Sequence, residues 1–273
     1  MKLTVCLVAY GKEFTQTESF KRLDNLSSSI KRSLNLIVFD NGRREVTEYK
    51  IPEGFSSVNY YFNNEMIERG TRIAYQYAFD NMTDSWLMLL DDDTAITDNY
   101  ILKVLKEISN TQVDALCPLI FDGQVQLSPT DSDTVKSLNF PKESGIYSKN
   151  ITGISSGLVL SKQFMLEIGG FTREFPLDYL DHWVFWQLRD RKKKIKVIDE
   201  IVQHQLSVQR LTELSENRFY SIFSSEYLFY KKYVPEALYQ IRKKYVKMII
   251  VGFLKKNQGI RWRVLLKIIF NRQ

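Results

Sequence analysis

The stretch Trp86-Leu87-Met88-Leu89-Leu90-Asp91-Asp92-Asp93 sets five consecutive apolar residues against three consecutive carboxylates. An uninterrupted apolar run of this length predicts a strand buried on both faces, as in a parallel sheet between helices. Three acids at its end are costly, because like charges repel and each gives up water, so a cation is expected to offset them. Alternate residues of an extended segment point the same way, which lets Asp91 and Asp93 face one site while Asp92 turns elsewhere. Hard carboxylate oxygens suit Mg²⁺ or Mn²⁺, and an ion so held can bridge the phosphates of a nucleotide diphosphate. The competing reading is a helix start, with Asp93 or Thr94 capping a helix whose dipole favours the acids. Spacing alone leaves both open.

Outward from this stretch the pattern alternates. Residues 2–10 and 34–39 are further apolar runs, the second stopping at the turn Asp40-Asn41-Gly42. Between them, Phe20, Leu23, Leu26 and Ile30 predict a helix over 18–30, and helices are also expected over 67–79 and 100–108. The order β-α-β-α-β-α is that of a mostly parallel α/β sheet. Residues 122–150 lose periodicity and read as a long loop or irregular insertion. Beyond it come a strand over 151–160, a helix over 162–168 ended by Gly169-Gly170, a helix after Pro176, and short apolar runs at 195–198 and 201–202. From Leu211 the pattern is helical. The expected division is a catalytic domain over 1–210 and a basic helical extension over 211–273.

In a chain of 273 residues, 44% apolar and 13% aromatic content excludes a disordered protein. Cys6 and Cys117 lie in apolar runs without metal-ligand spacing, so they read as buried thiols of a reducing compartment rather than a zinc site. The short opening run carries no cleavage site after it, and a cytoplasmic catalytic part is expected. The net charge of +6 is uneven: residues 231–273 hold twelve Lys or Arg against the single acid Glu236, an excess of +11 that leaves residues 1–230 at −5. Nucleic acid or anionic lipid are the partners such a block attracts.

Leu-Leu-Asp-Asp-Asp after an apolar strand resembles the DXD signature of glycosyltransferase family 2, whose nucleotide-diphosphosugar-binding domain has the GT-A fold. Val8-Ala9-Tyr10, Asp40-Asn41-Gly42, the stretch from Gly157 to Gly170-Phe171, and Asp178-Tyr179-Leu180-Asp181 follow in the family's order, so the resemblance spans residues 3 to 206. It implies an inverting transfer of sugar from a UDP- or dTDP-linked donor to a glycan hydroxyl, with Mg²⁺ or Mn²⁺. Asp40 would accept from the uracil or thymine ring, with Tyr10 also in the nucleotide-binding set. Asp91 would meet the ribose or metal and Asp93 would ligate the metal. Arg69-Gly70-Thr71-Arg72 departs from the family by placing arginine where asparagine is expected; Arg72 is a diphosphate contact or a surface helix arginine. The flanking pattern is closest to rhamnosyl- and galactofuranosyltransferases of polysaccharide assembly.

Inverting transfer needs a carboxylate to take the acceptor's proton, and the family's acidic motif puts Asp181 in that role. Asp178 would orient the site, or cap the following helix. Trp183 and Trp186 share a helix face and could stack on the acceptor sugar, or serve the core. His182, next to the base, points about 100° away on a helix. His204, in His-Gln-Leu-Ser, resembles the family's C-terminal His that reaches metal or diphosphate, with Ser207 where glycine is usual. The tail's apolar run 246–254 falls far short of a bilayer span and, interleaved with Lys and Arg, reads as amphipathic helices on an anionic membrane, or as a helical cap with a basic face. A lipid-linked acceptor in capsule, cell-wall or exopolysaccharide synthesis fits these features. A nucleotidyltransferase would need a better phosphate loop than Ala9-Tyr10-Gly11-Lys12, and a nucleic-acid-binding protein is disfavoured by the acidic first 230 residues.

Overall fold

The apolar runs at residues 2–10, 34–39 and 86–90 form strands in the computed structural model, which describes residues 2–10, 13–49, 52–64, 68–110, 112–132, 140–204, 214–254 and 261–270. These residues divide into two units, one ending at residue 204 and one beginning at residue 214. In chain order the first contains β1 (Leu3–Ala9), α1 (Glu18–Asp24), α2 (Ser28–Lys31), β2 (Leu34–Asp40), β3 (Ser57–Phe62), α3 (Thr71–Asn81), β4 (Trp86–Leu90), β5 (Thr94–Ala95), α4 (Asp98–Asn110), β6 (Ala115–Asp122), β7 (Val125–Ser128), β8 (Gly145–Tyr147), β9 (Val159–Ser161), α5 (Lys162–Ile168), α6 (Leu180–Asp190) and β10 (Ile195–His204).

These strands form one mixed sheet in the order β3-β2-β1-β4-β9-β6-β10-β5, with β7 pairing on β6 and β8 on β10. The strands β3, β2, β1 and β4 are parallel, β9 runs antiparallel between β4 and β6, and β10 is parallel to β6. Strand β1 is followed by β2 on one side and flanked by β4 on the other, a reversal of winding that opens a crevice beyond the carboxyl ends of the parallel strands. Leu3, Val5, Leu7, Leu36, Val38, Met88 and Leu90 are buried in the apolar cluster that α1 and α4 cover with Phe20, Leu23, Tyr100, Ile101 and Val104. This is a GT-A architecture.

Several elements differ from the sequence expectation for local reasons. The helix expected over 18–30 breaks into α1 and α2 across Asp24-Asn25-Leu26-Ser27-Ser28-Ser29, whose short polar side chains favour turns and caps over helix interiors. The helix expected over 67–79 starts at Thr71, after Gly70; residue 67 lies outside the described residues. The stretch over 122–150 is not wholly irregular: Gly123, in the left-handed region at φ 59, turns the chain so that β7 returns along β6, while β8 pairs with β10. Within 151–160 regular strand is confined to its end, because Gly157 at φ 77 bends the approach to β9.

The second unit contains α7 (Glu216–Tyr233), α8 (Leu238–Leu254) and α9 (Trp262–Phe270) around Phe219, Phe223, Ile241, Tyr245 and Leu265. Its buried Glu226 accepts from Tyr245 Oη at 2.8 Å and from Lys244 Nζ at 2.8 Å, so the charge of this carboxylate is matched. Among the described residues no helix is long and apolar enough to cross a membrane.

Candidate active site

Each parallel strand delivers a polar residue to the crevice as its apolar run ends. Tyr10 follows β1 and is exposed, whereas Asp40, the last residue of β2, is buried. Its carboxylate accepts from Gly42 N–H at 2.6 Å and from Tyr60 Oη of β3 at 2.9 Å. Burial nevertheless pushes the Asp40 carboxyl above its ordinary value, against the lowering effect of those two donors and of Arg69. Beside it, Asn63 donates to Asn41 Oδ1 at 2.8 Å and to the Glu68 carbonyl at 3.0 Å, while Asn41 donates to the Gly70 carbonyl at 3.1 Å. Gly70 must lack a side chain: a Cβ there would lie 2.2 Å from the Pro176 carbonyl oxygen, which also accepts from Arg72 N–H at 3.1 Å. These contacts tie the start of α3 to the loop that precedes α6.

Arg72 is buried and its guanidinium grips Glu68 with two bonds of 2.6 and 2.8 Å. It is therefore no solvated surface arginine, and its charge is already matched. Arg69 is the cation whose field acts on Asp40.

The triple-Asp stretch is no helix cap. It forms the turn between β4 and β5, and α4 begins later, capped by Thr97, whose Oγ1 accepts from Tyr100 N–H at 3.1 Å. Buried Ser19, in the first turn of α1, holds this turn: its hydroxyl donates to the Thr94 carbonyl at 3.0 Å and to the Asp91 carbonyl, and accepts from Thr94 N–H at 2.8 Å. Asp91 Oδ1 accepts from Tyr75 Oη of α3 at 2.7 Å, and Oδ2 accepts from Ser156 Oγ at 3.2 Å and Ser155 Oγ at 3.5 Å. Asp93 meets the end of β10. There β5 pairs antiparallel with the end of β10, setting Thr94 against His204, and His204 Nδ1 lies 3.2 Å from Asp93 Oδ1. Both atoms are buried, and among the described residues neither is aligned for a hydrogen bond. Burial and the charges of Asp91 and Asp92 push the Asp93 carboxyl up to about 6, against the influence of His204.

The third acidic group enters with α6. The residue at the N-cap position is Tyr179, in a left-handed conformation at φ 68 and without a side-chain cap bond of its own. Tyr179 stacks on His182 with ring centroids 4.5 Å apart, and His182 N–H donates to Asp181 Oδ1 at 2.8 Å. Burial pushes the Asp181 carboxyl above its ordinary value; Asp91 and Asp178 push the same way, while His182 opposes. The charge of Asp91, ninety residues earlier in sequence, thus acts on Asp181. Trp183 is packed into the interior, and Trp186, half-buried, is the tryptophan of this pair with accessible ring surface. Ser207 lies outside the described residues.

Tyr10, Asp40, Arg72, Asp91, Asp93, Asp178, Asp181, Trp183, Trp186 and His204 are candidates legible in the sequence; Ser19, Tyr60, Tyr75, Asn63, Ser155 and Ser156 are not. Tyr75 falls on the buried side of a predicted helix and has the sequence signature of any core aromatic. The two serines stand just before Gly157 in a segment whose polar residues could belong to any turn. Among the described residues no three His, Cys, Asp or Glu side chains gather as a complete metal site.

The sequence model of Glycosyl transferase family 2 matches residues 4–168. No curated protein matches the chain. Among solved structures, S. aureus TarS superposes with a TM-score of 0.58 at 14% identity, covering 85% of this chain and 40% of that one. The 1–349 fragment of TarS superposes at a TM-score of 0.55 in complex with UDP, at 12% identity, and at 0.55 in complex with UDP-GlcNAc, at 11% identity, in each case covering 98% of this chain and 87% of that one. This chain therefore spans 40% of the longer TarS chain, and at such identities the likeness is one of fold. Asp178, Asp181 and His204 lie beyond the matched family segment. The family pattern runs from β1 through α5 and carries the loops of Asp40 and Asp91 to one edge of the sheet: the chain belongs to glycosyl transferase family 2.

Proposed function

We propose that this glycosyltransferase moves a sugar, with inversion, from a UDP-linked donor to a glycan hydroxyl, using Asp181 as general base. What carries this reading is Asp91 at the carboxyl end of β4, held there by Tyr75 and Ser156, together with Asp181 in the first turn of α6, whose carboxyl the Asp91 charge helps to raise. Asp40, buried with Tyr60, would accept from the base ring, Tyr10 would cover it, and Asp91 would take the ribose. A raised carboxyl such as Asp181 is the stronger base once ionised, which suits it to receive the acceptor's proton as the new bond forms. Asp178 and Trp186 would orient the acceptor.

Asp93 Oδ1 and His204 Nδ1, buried, adjacent and without directed bonds among the described residues, fit a hard divalent cation such as Mg²⁺ or Mn²⁺. Two protein ligands agree with the habit of Mg²⁺ in nucleotide sites, where phosphates and water complete the shell. Bound there, the ion would neutralise the leaving diphosphate. UDP is favoured over dTDP as the nucleotide because the TarS fragment is seen with UDP and UDP-GlcNAc. For the sugar, the sequence pattern supports galactofuranose or rhamnose, and the TarS complex supports N-acetylglucosamine. The basic charge of residues 231–273 supports a cytoplasmic enzyme held peripherally at the membrane near a lipid-linked acceptor of capsule, cell-wall or exopolysaccharide synthesis.

A thermal-shift panel of UDP-GlcNAc, UDP-galactofuranose, dTDP-rhamnose and UDP-glucose with and without Mn²⁺ tests the donor side. Binding to the folded state raises the melting temperature by mass action. A metal-dependent rise with UDP-sugars is expected; no rise with any of them would overturn the reading.

A further inference from the structure

On α8 the residues buried against the helical core are Ile241, Tyr245 and Gly252. Tyr239, Val246, Ile250 and Phe253, spaced by seven, four and three, fall on the opposite side. They are 75, 48, 51 and 63% exposed. Phe253 continues this row onto the next helix, its ring meeting Trp262 of α9 edge-on at 5.5 Å. Exposed Lys243 and Lys247 border the row on one flank, and Arg263 lies 5.2 Å over the Trp262 ring at its end. Helix α8 thus has two apolar faces, and the fold uses only one.

We infer that this outer face of α8, ending at Trp262, docks on an anionic lipid bilayer, with Ile250 and Phe253 entering the acyl boundary while Lys243, Lys247 and Arg263 meet headgroup charge. This rests on the membrane part of the proposed function and names the surface responsible. The charge pattern selects the occupant. A second copy of the chain on this face would press one lysine row against another, and like charges across an interface oppose association. A nucleic acid would satisfy the lysines but leave Ile250 and Phe253 in water. An anionic bilayer satisfies both: apolar side chains enter its interface, and basic ones lie at headgroup depth with their stems along the apolar surface.

The test uses the full chain in co-sedimentation with vesicles of phosphatidylcholine containing a quarter phosphatidylglycerol, and of phosphatidylcholine alone. Binding to the anionic vesicles is expected at low salt, with weakening by about tenfold or more in Lys243→Gln/Lys247→Gln and in Ile250→Asp/Phe253→Asp, since each surface lysine and each inserted apolar side chain contributes separately. These positions are exposed, and a retained UDP-induced melting shift in each variant shows that the fold is intact. Unaltered vesicle binding in both variants, or none by the wild type, overturns the inference. So does a concentration-dependent dimer in light scattering that Ile250→Asp/Phe253→Asp abolishes, because the face would then pair with a second copy. Vesicle binding without any UDP-sugar response would overturn the donor reading and leave the docking face standing; the converse result would overturn the docking face alone.

Discussion

Replacing Tyr75 by Phe removes one hydroxyl from a fully buried ring and leaves its packing on Phe171, at a centroid distance of 5.7 Å, in place. The lost group donates to Asp91 Oδ1 at 2.7 Å. A hydrogen bond to a carboxylate contributes about 1.5–3 kcal/mol. Ser156 at 3.2 Å and Ser155 at 3.5 Å still hold Oδ2, so the lower end of that range, about 1.5 kcal/mol, is the appropriate figure. For stability this corresponds to a melting temperature lower by roughly 3–6 °C. For function the same energy bounds the cost of re-orienting Asp91 when donor binds, about tenfold in affinity. Calorimetry with UDP in Mn²⁺, alongside thermal melting, separates the two effects. If Tyr75→Phe lowers the melting temperature while UDP affinity and turnover match the wild type, Asp91 serves the fold rather than the donor, and the account of this carboxylate fails.

Gly70→Ala should lower the melting temperature by about 2–12 °C, as overpacking typically costs about 1–3 kcal/mol, because its Cβ would meet the Pro176 carbonyl at 2.2 Å; an unchanged melt would show that the two loops are not tied there. Asp93→Ala should abolish the Mn²⁺ dependence of UDP binding by removing the hard oxygen opposite His204, and calorimetry with the same Mn²⁺ effect as wild type would remove Asp93 from the metal set. Asp178→Asn should reduce turnover less than Asp181→Asn does, since an amide retains part of an orienting residue's bonding; a dead Asp178 variant beside an active Asp181 variant would exchange their roles.

What could be read from the sequence was what depends on periodicity and on local punctuation. The runs at 3–10, 34–39 and 86–90 became strands because continuous apolar stretches have few alternatives to burial on both sheet faces, and Gly169 ended α5 at φ 74 because a left-handed cap favours glycine. Less legible were features fixed by partners distant in sequence. Nothing near Tyr75 or Ser156 announces that they meet Asp91, and the meeting of His204 with Asp93 depends on β5 pairing with β10, a strand of two residues that no pattern predicts. The helix expected over 67–79 began at Thr71 because Gly70 is committed to Asn41 and to the approach of Pro176. The resemblance to a known family supplied the grouping of acids that periodicity could not.

If Asp181 takes the acceptor's proton, Asp181→Asn loses turnover, measured with the donor that the thermal-shift panel selects. General base catalysis typically supplies about 10²- to 10⁴-fold, so a fall of that size is expected with UDP affinity preserved. In the wild type, turnover should fall as pH drops through a group titrating above the ordinary carboxylate value of about 3.9, because burial and the Asp91 and Asp178 charges hold the Asp181 proton on; in the variant this acid limb should be gone. Transfer by Asp181→Asn within about threefold of the wild type, with the acid limb retained, would contradict the account.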